Sequence, residues 1–333
     1  MRAVVFDQFG PFEDARVAEV ARPSAGPNDV VVEVHAAPVN YVDLVVVAGK
    51  YQFSPPLPFT PGKGPAGVVV ETGAAVADFK VGDRVLAMAE IGGYAEYSKV
   101  AAKDCYRIPD SLSFSKAGAL SLAYDTAYFA LTDRGRLQKG ETLLVLGSTG
   151  AVGRACMQLG KAMGARVIAA ISSPSRAQAA YAGGADGVVN LAAEDLRENL
   201  RKEVSDLTDG RGADVVIDML GGDLFDAAIR AVAWRGRVVI VGFAAGRIPT
   251  LKVNYLMLKN MEVSGLQISD YRKRRPDMLQ DCYRDVFSMY ERGLIDPGPV
   301  VEMPLSQFAQ AMRMVEQRTT LDRVILTPKA QVL

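Results

Sequence analysis

Histidine is almost absent from this chain: among 333 residues only His35 carries an imidazole. A Ser-His-Asp triad, a histidine general base and most zinc sites would each depend on that one side chain. Cysteine is hardly more frequent. Cys105, Cys156 and Cys282 lie far apart, which excludes a disulfide framework and a C-x-x-C metal knuckle. No apolar run approaches the ~20 residues of a membrane span, and the opening MRAVVFDQFG is too short in apolar residues for a signal segment. The expectation is a cytoplasmic protein with no membrane partner. Neither sign of charge dominates, because 38 Lys and Arg balance 38 Asp and Glu. No global field therefore favours nucleic acid, and any binding preference must come from a local site.

What the chain does have is apolar material and glycine. It is 49% hydrophobic with 31 glycines, long enough to bury two cores. Up to about residue 110 it carries short runs rich in valine, such as DVVVEVHA (29–36), AGVVVETG (66–73) and GDRVLAM (82–88), separated by turn clusters. Those runs predict a compact, mostly β domain. A helical segment with a Ser start signal follows at 113–131. Near-continuous apolar runs then alternate with helix-like stretches, at 142–147, 165–172, 187–190, 213–220, 236–243 and 261–268. Six such runs fit a doubly wound parallel sheet covered on both faces, hence an α/β fold. Helices near 276–292 and 306–317 and a strand at 322–328 close the chain.

The stretch LVLGSTGAVG places Gly147, Gly150 and Gly153 after the first of those strands and at the start of a helix. The spacing is G-x-x-G-x-x-G rather than G-x-G-x-x-G, but the strand-loop-helix context is that of a dinucleotide loop, in which helix N–H groups attract a pyrophosphate. The same glycines would also serve a plain tight turn. At the end of the second strand, where NAD-preferring sheets carry an Asp or Glu, the chain reads ISSPSR. Ser172, Ser173 and Arg176 would receive a 2′-phosphate, which selects NADPH. Ser-Pro-Ser is also a good helix start. The loops DMLGGD (218–223) and VGFAAG (241–246) fall at strand ends, and Leu220, Gly242, Phe243 and Ala244 are candidates for holding the carboxamide of the nicotinamide.

In these residues the chain resembles the medium-chain dehydrogenase/reductase superfamily, and most of all its zinc-free NADPH:quinone oxidoreductase (zeta-crystallin-like) branch. VNYVDLVVVAGKY (39–51), PFTPGKGPAGVV (58–69), VGDRV, GGYAEY, AYDTAY, GSTGAVG, GGADGVVN and DMLGGD match it in order and spacing over essentially the whole chain. The resemblance implies a GroES-like, mostly-β catalytic domain from residues 1–117 and 269–333. A Rossmann domain with a six-stranded parallel sheet would occupy 118–268, with the active site in the cleft. It also implies a homodimer, or a tetramer, often joined through the strand near 261–268. The cofactor set it implies comprises Thr126, Gly147, Ser148, Thr149, Gly150, Ala151, Val152, Gly153, Asn190 and, in the closing strand, Arg323.

Zinc-dependent relatives carry Cys where this chain has Asn40 and a His-Glu pair where it has Lys63-Gly64, so no metal site is expected. The implied chemistry is hydride transfer from NADPH to a quinone or an α,β-unsaturated carbonyl. Tyr51 matches an active-site donor of relatives and Asn40 a residue beside the nicotinamide, although Tyr51 could also pack as an aromatic lid and Asn40 cap a loop. Two departures stand out. Val45 replaces a second tyrosine of many quinone reductases, and Lys63 is expected to face solvent, although in the cleft it could pair with an anionic substrate or a cofactor phosphate. A reductase of 2-enoyl thioesters is the alternative, with Arg272, Lys273, Arg274 and Arg275 as a basic patch if they are not merely a solvated turn. A binding role, as an RNA-binding or structural crystallin-like protein, is the less favoured class, and the neutral charge argues against RNA.

Overall fold

The computed structural model describes residues 1–329; the last four residues of the expected first domain, 330–333, lie outside the described residues. The chain divides into two compact units, Met1–Leu122 with Pro297–Leu333, and Ala123–Asp296.

The first unit opens with β1 (Arg2–Val5) and β2 (Arg16–Glu19), which pair antiparallel. Its main sheet is built on β3 (Asp29–Pro38), whose valines at 30, 31, 32 and 34 are all fully buried. Helix α1 (Tyr41–Val47) follows, then β4 (Ala66–Thr72), β5 (Arg84–Ala87), β6 (Tyr97–Ala101), β7 (Cys105–Arg107) and α2 (Phe114–Leu120). Ser113 caps α2 by accepting from the Lys116 N–H at 3.2 Å, as the start signal predicts. The single helix expected over 113–131 is broken, because Leu122 takes a left-handed φ of +37° between α2 and α3 (Ala123–Phe129), where the unit boundary falls.

The second unit continues with β8 (Thr142–Leu146), α4 (Ala151–Ala162), β9 (Arg166–Ile171), α5 (Ala177–Ala182), β10 (Gly187–Asn190), α6 (Leu196–Leu207), β11 (Ala213–Asp218) and α7 (Gly222–Ala231). It ends with β12 (Val232–Ile240), α8 (Asn254–Lys259), β13 (Glu262–Gly265), α9 (Ile268–Arg274) and α10 (Pro276–Glu291). The strands form one parallel six-stranded sheet in the order β10-β9-β8-β11-β12-β13. All five residues of β8 are buried, as a central strand covered on both faces requires. The order reverses beside β8, so the carboxyl ends of β8, β9 and β11 define a switch point where ligands bind open α/β sheets.

The chain returns to the first unit as β14 (Val300–Pro304), α11 (Phe308–Gln317) and β15 (Arg323–Thr327), where β15 pairs with β14 and β3. The boundary differs from the expected one at residue 269. Helices α9 and α10 belong to the second unit because they bury polar partners of α3: Arg272 Nη2 and the Tyr283 hydroxyl both donate to Asp125 Oδ2, at 2.7 and 3.1 Å, and the Tyr128 hydroxyl donates to Asp285 at 2.7 Å.

Candidate active site

In the first unit, the turn into α1 collects a buried polar cluster. Asn40 caps the helix: its N–H donates to Asp43 Oδ2 at 2.9 Å, while the Asp43 N–H donates to the Asn40 carbonyl at 3.0 Å. The Asn40 side chain points the other way and accepts from Arg323 Nη2 at 2.8 Å. Asp43 also accepts from the Tyr94 hydroxyl at 3.0 Å. Burial raises the Asp43 carboxyl to about 6, opposed by the Asn40 N–H, the Lys63 charge and Tyr94. Burial, reinforced by Asp43, pushes the Tyr94 phenol upward.

Lys63 does not face solvent. It is 1% exposed, and its ammonium pairs with Glu90 and stands 5.3 Å from the centroid of the Tyr51 ring. The reason is local backbone geometry: Gly62 and Gly64 hold φ of +101° and +68°, a conformation that turns the Lys63 side chain inward. Tyr51 itself is half-buried against the core that includes Val46, Val47 and Phe59. Val45 is also half-buried.

In the second unit, Gly147 takes φ +77° and Gly150 is the N-cap of α4 with no side-chain cap, so the first N–H groups of the helix receive no side-chain acceptor there. A Cβ on Gly153 would lie 2.2 Å from the Gly147 carbonyl oxygen, so only glycine lets helix and loop approach this closely. Ser148 is buried and donates to the Ala170 carbonyl at 2.8 Å, which ties the loop to β9. Thr149, Ala151 and Val152 remain half-buried.

Arg176 crosses from the end of β9 and donates to Thr149 Oγ1 at 2.9 Å, which brings the second strand end to the glycine loop. Ser173 caps the turn Pro174–Arg176, and Ser172 is exposed. Leu220 packs beside Gly147, within 3.2 Å of where its Cβ would stand. The loops after β11 and β12 interlock, since the N–H groups of Ala244 and Ala245 donate to the carbonyls of Met219 and Leu220 at 3.0 and 2.9 Å. Asp218 organises them. It is fully buried, its Oδ1 accepts from the Leu220 and Gly221 N–H groups at 2.8 and 2.9 Å, and burial raises its carboxyl. Phe243 and Gly242 ride on this pair of loops.

Three other expected residues have partners of their own. Asn190 ends β10, where its side chain accepts from the Ala192 N–H at 3.0 Å. Thr126 is buried on α3, its hydroxyl 3.3 Å from Asp125. Arg323 belongs to the first unit and is joined to Asn40. Sequence reasoning passed over Asp43, Tyr94, Glu90 and Asp218; only Asp43 leaves a local trace, the N-x-x-D spacing of a capping box after Asn40. Among the described residues no group of three His, Cys, Asp or Glu side chains is placed to hold a metal.

Two family models match: the alcohol dehydrogenase GroES-like domain over residues 26–110 and the zinc-binding dehydrogenase over 151–283. The mouse quinone oxidoreductase-like protein 2 is 36% identical over 314 residues, 94% of this chain and 89% of the relative. The crystal structure of the Pseudomonas syringae pv. tomato DC3000 quinone oxidoreductase superposes with a TM-score of 0.90 at 31% identity, covering 98% of this chain and 99% of that one. The Escherichia coli quinone oxidoreductase in complex with NADPH also reaches 0.90, at 27% identity over 98% of this chain and all of that one. Two such units, one GroES-like and one doubly wound, define an alcohol-dehydrogenase-like oxidoreductase. The chain belongs to the medium-chain dehydrogenase/reductase superfamily, in its zinc-free quinone oxidoreductase branch.

Proposed function

We propose that the chain is a zinc-independent reductase that delivers a hydride from NADPH to a quinone or an α,β-unsaturated carbonyl. The observation that carries this reading is the contact of Arg176 with Thr149, which sets a guanidinium and the Ser172–Ser173 hydroxyls beside a glycine loop with an uncapped helix start. A pyrophosphate fits that helix start, and a 2′-phosphate fits the guanidinium better than a 2′-hydroxyl does. The NADPH complex of the similar Escherichia coli enzyme supports the same cofactor.

When bound, NADPH supplies the hydride. Gly147–Gly153 would hold the pyrophosphate, and Leu220, Gly242, Phe243 and Ala244 the carboxamide end. Tyr51 orients the acceptor and gives a proton to its oxygen, and Asn40, fixed by Arg323 and by its own capping bonds, shapes the wall beside it. With Val45 where a tyrosine would add a polar contact, the acceptor pocket is apolar on that side. The thioester alternative loses support, because Arg272 is buried on Asp125 and Arg275 is paired with Asp277.

Steady-state oxidation of NADPH and of NADH against a polycyclic ortho-quinone, a simple enone and a short 2-enoyl-CoA tests the reading. Turnover of quinone or enone with a strong NADPH preference is expected. Equal use of NADH removes the 2′-phosphate argument, and selective reduction of the enoyl-CoA replaces the proposed acceptor.

A further inference from the structure

The Lys63 side chain is more costly to bury than any apolar side chain of its volume, because an ammonium gives up its hydration. The fold nonetheless holds it at 1% exposure with a single carboxylate partner, Glu90, so one of its three N–H donors is used and two have no hydrogen-bond acceptor among the described residues. The turn that presents it is built for position 63 alone. A Cβ on Gly62 would stand 2.3 Å from the Tyr94 ring, and one on Gly64 would stand 2.8 Å from the Ser121 hydroxyl. Both neighbours of the ammonium reach the surface: Glu90 is 25% exposed and Tyr51 is half-buried, its ring centroid 5.3 Å from Nζ. A planar molecule lying against Tyr51 would bring an oxygen within reach of Nζ.

We infer that Lys63 is an oxyanion site: its ammonium, held by Glu90 beside the Tyr51 ring, receives the negative oxygen formed on a planar conjugated carbonyl substrate. This inference rests on the reductase reading and narrows its substrate class to acceptors that place charge on oxygen. A hydride added to the acceptor brings two electrons, and the displaced π pair of the conjugated system settles on the carbonyl oxygen. The two free N–H donors of Lys63 stabilise that oxygen until it takes the proton that Tyr51 donates and then regains from water, so the acceptor gains two electrons and two protons in all. An ammonium already desolvated needs no reorganisation at that moment, and the attraction is stronger than it would be in water. The Asp43 carboxyl lies in the field of the same ammonium and Arg323 in that of Tyr94, so the surrounding charges come from α1 and β15 as well as from the turn itself.

The test uses 4-nitrophenolate as an oxyanion mimic and 4-nitroanisole as its neutral counterpart, with binding to the full chain read by absorbance in the absence of dinucleotide. The wild type should prefer the phenolate, and Lys63→Met should lose roughly ten- to a hundredfold of phenolate affinity while its affinity for the anisole holds. Lys63→Arg should keep most of the preference. Equal phenolate affinity in wild type and Lys63→Met overturns the proposal. So does a wild type with no preference for phenolate over anisole, a result that needs no variant to fold. Lys63-dependent phenolate binding by a chain that oxidises neither NADPH nor NADH supports the oxyanion site and removes only the redox reading.

Discussion

Asp43 is a buried carboxyl held at about 6 against an ordinary 3.8, chiefly by desolvation. Between those two values the folded chain keeps a proton that the unfolded chain releases, so this residue favours folding below the window and that contribution is lost as pH rises through it. Asp43→Asn keeps an oxygen for the Asn40 N–H and the Tyr94 hydroxyl without a charge. Its stability relative to wild type should therefore rise by about 3 kcal/mol between about pH 4 and pH 7, read by urea unfolding across that range. Two other side chains carry the proposed chemistry. Tyr51→Phe should reduce kcat with an enone by roughly a hundredfold with little change in NADPH binding, as loss of a proton donor does. Arg176→Ala should lower the NADPH-to-NADH ratio of kcat/KM by about tenfold or more, through NADPH alone.

Two elements depend on single close approaches. The start of α4 is seated on the β8 loop by Gly153, where a Cβ would be 2.2 Å from a backbone carbonyl that cannot swing aside. Gly153→Ala should cost about 1–3 kcal/mol in thermal or urea unfolding and weaken NADPH binding, measured by nucleotide fluorescence, because helix and loop separate. Helix α9 is joined to α3 by the ion pair of Arg272 with Asp125, which are 5% and 0% exposed. Arg272→Met leaves Asp125 charged in the interior and should destabilise by about 3–5 kcal/mol, whereas pairing it with Asp125→Leu should recover much of that loss. The basic run at 272–275 thus reads from sequence as a patch, but its first member is spent inside.

For the whole molecule, β13 and β10 are the two edges of the six-stranded sheet, and among the described residues β13 pairs with β12 alone. Trp234, Val253, Met257 and Leu258 are each at least 66% exposed in the same unit. An edge strand with apolar neighbours is a template for association. The homodimer implied by the family resemblance should appear in sedimentation velocity, and Val263→Pro, which takes an outward-facing backbone donor from that edge, should shift the chain to monomer. A monomeric wild type would remove that expectation. No helix among the described residues is long and apolar enough to cross a membrane.

The α/β class, the six parallel strands and the glycine loop were legible because each rests on local pattern: an apolar run of strand length, a helix start, a turn that only glycine allows. Strand β12 shows the limit. It begins at Val232 rather than 236, because a bulge opposite Ala213–Val215, with Arg235 at φ +61°, carries the pairing back past Arg235–Gly236, which reads from sequence as a turn before the strand. The membership of α9 and α10 was invisible for a similar reason, since Arg272 and Asp125 are 147 positions apart and either alone reads as a surface charge. Lys63 shows the same on one side chain. By itself the sequence determined the two-unit plan, the glycine loop after β8 and the want of zinc ligands at Asn40, Lys63 and Gly64, all properties of residue type and short-range order. Only the tertiary structure decided which way Lys63 points and what stands around it, because burial and charge pairing are set by distant segments meeting in space.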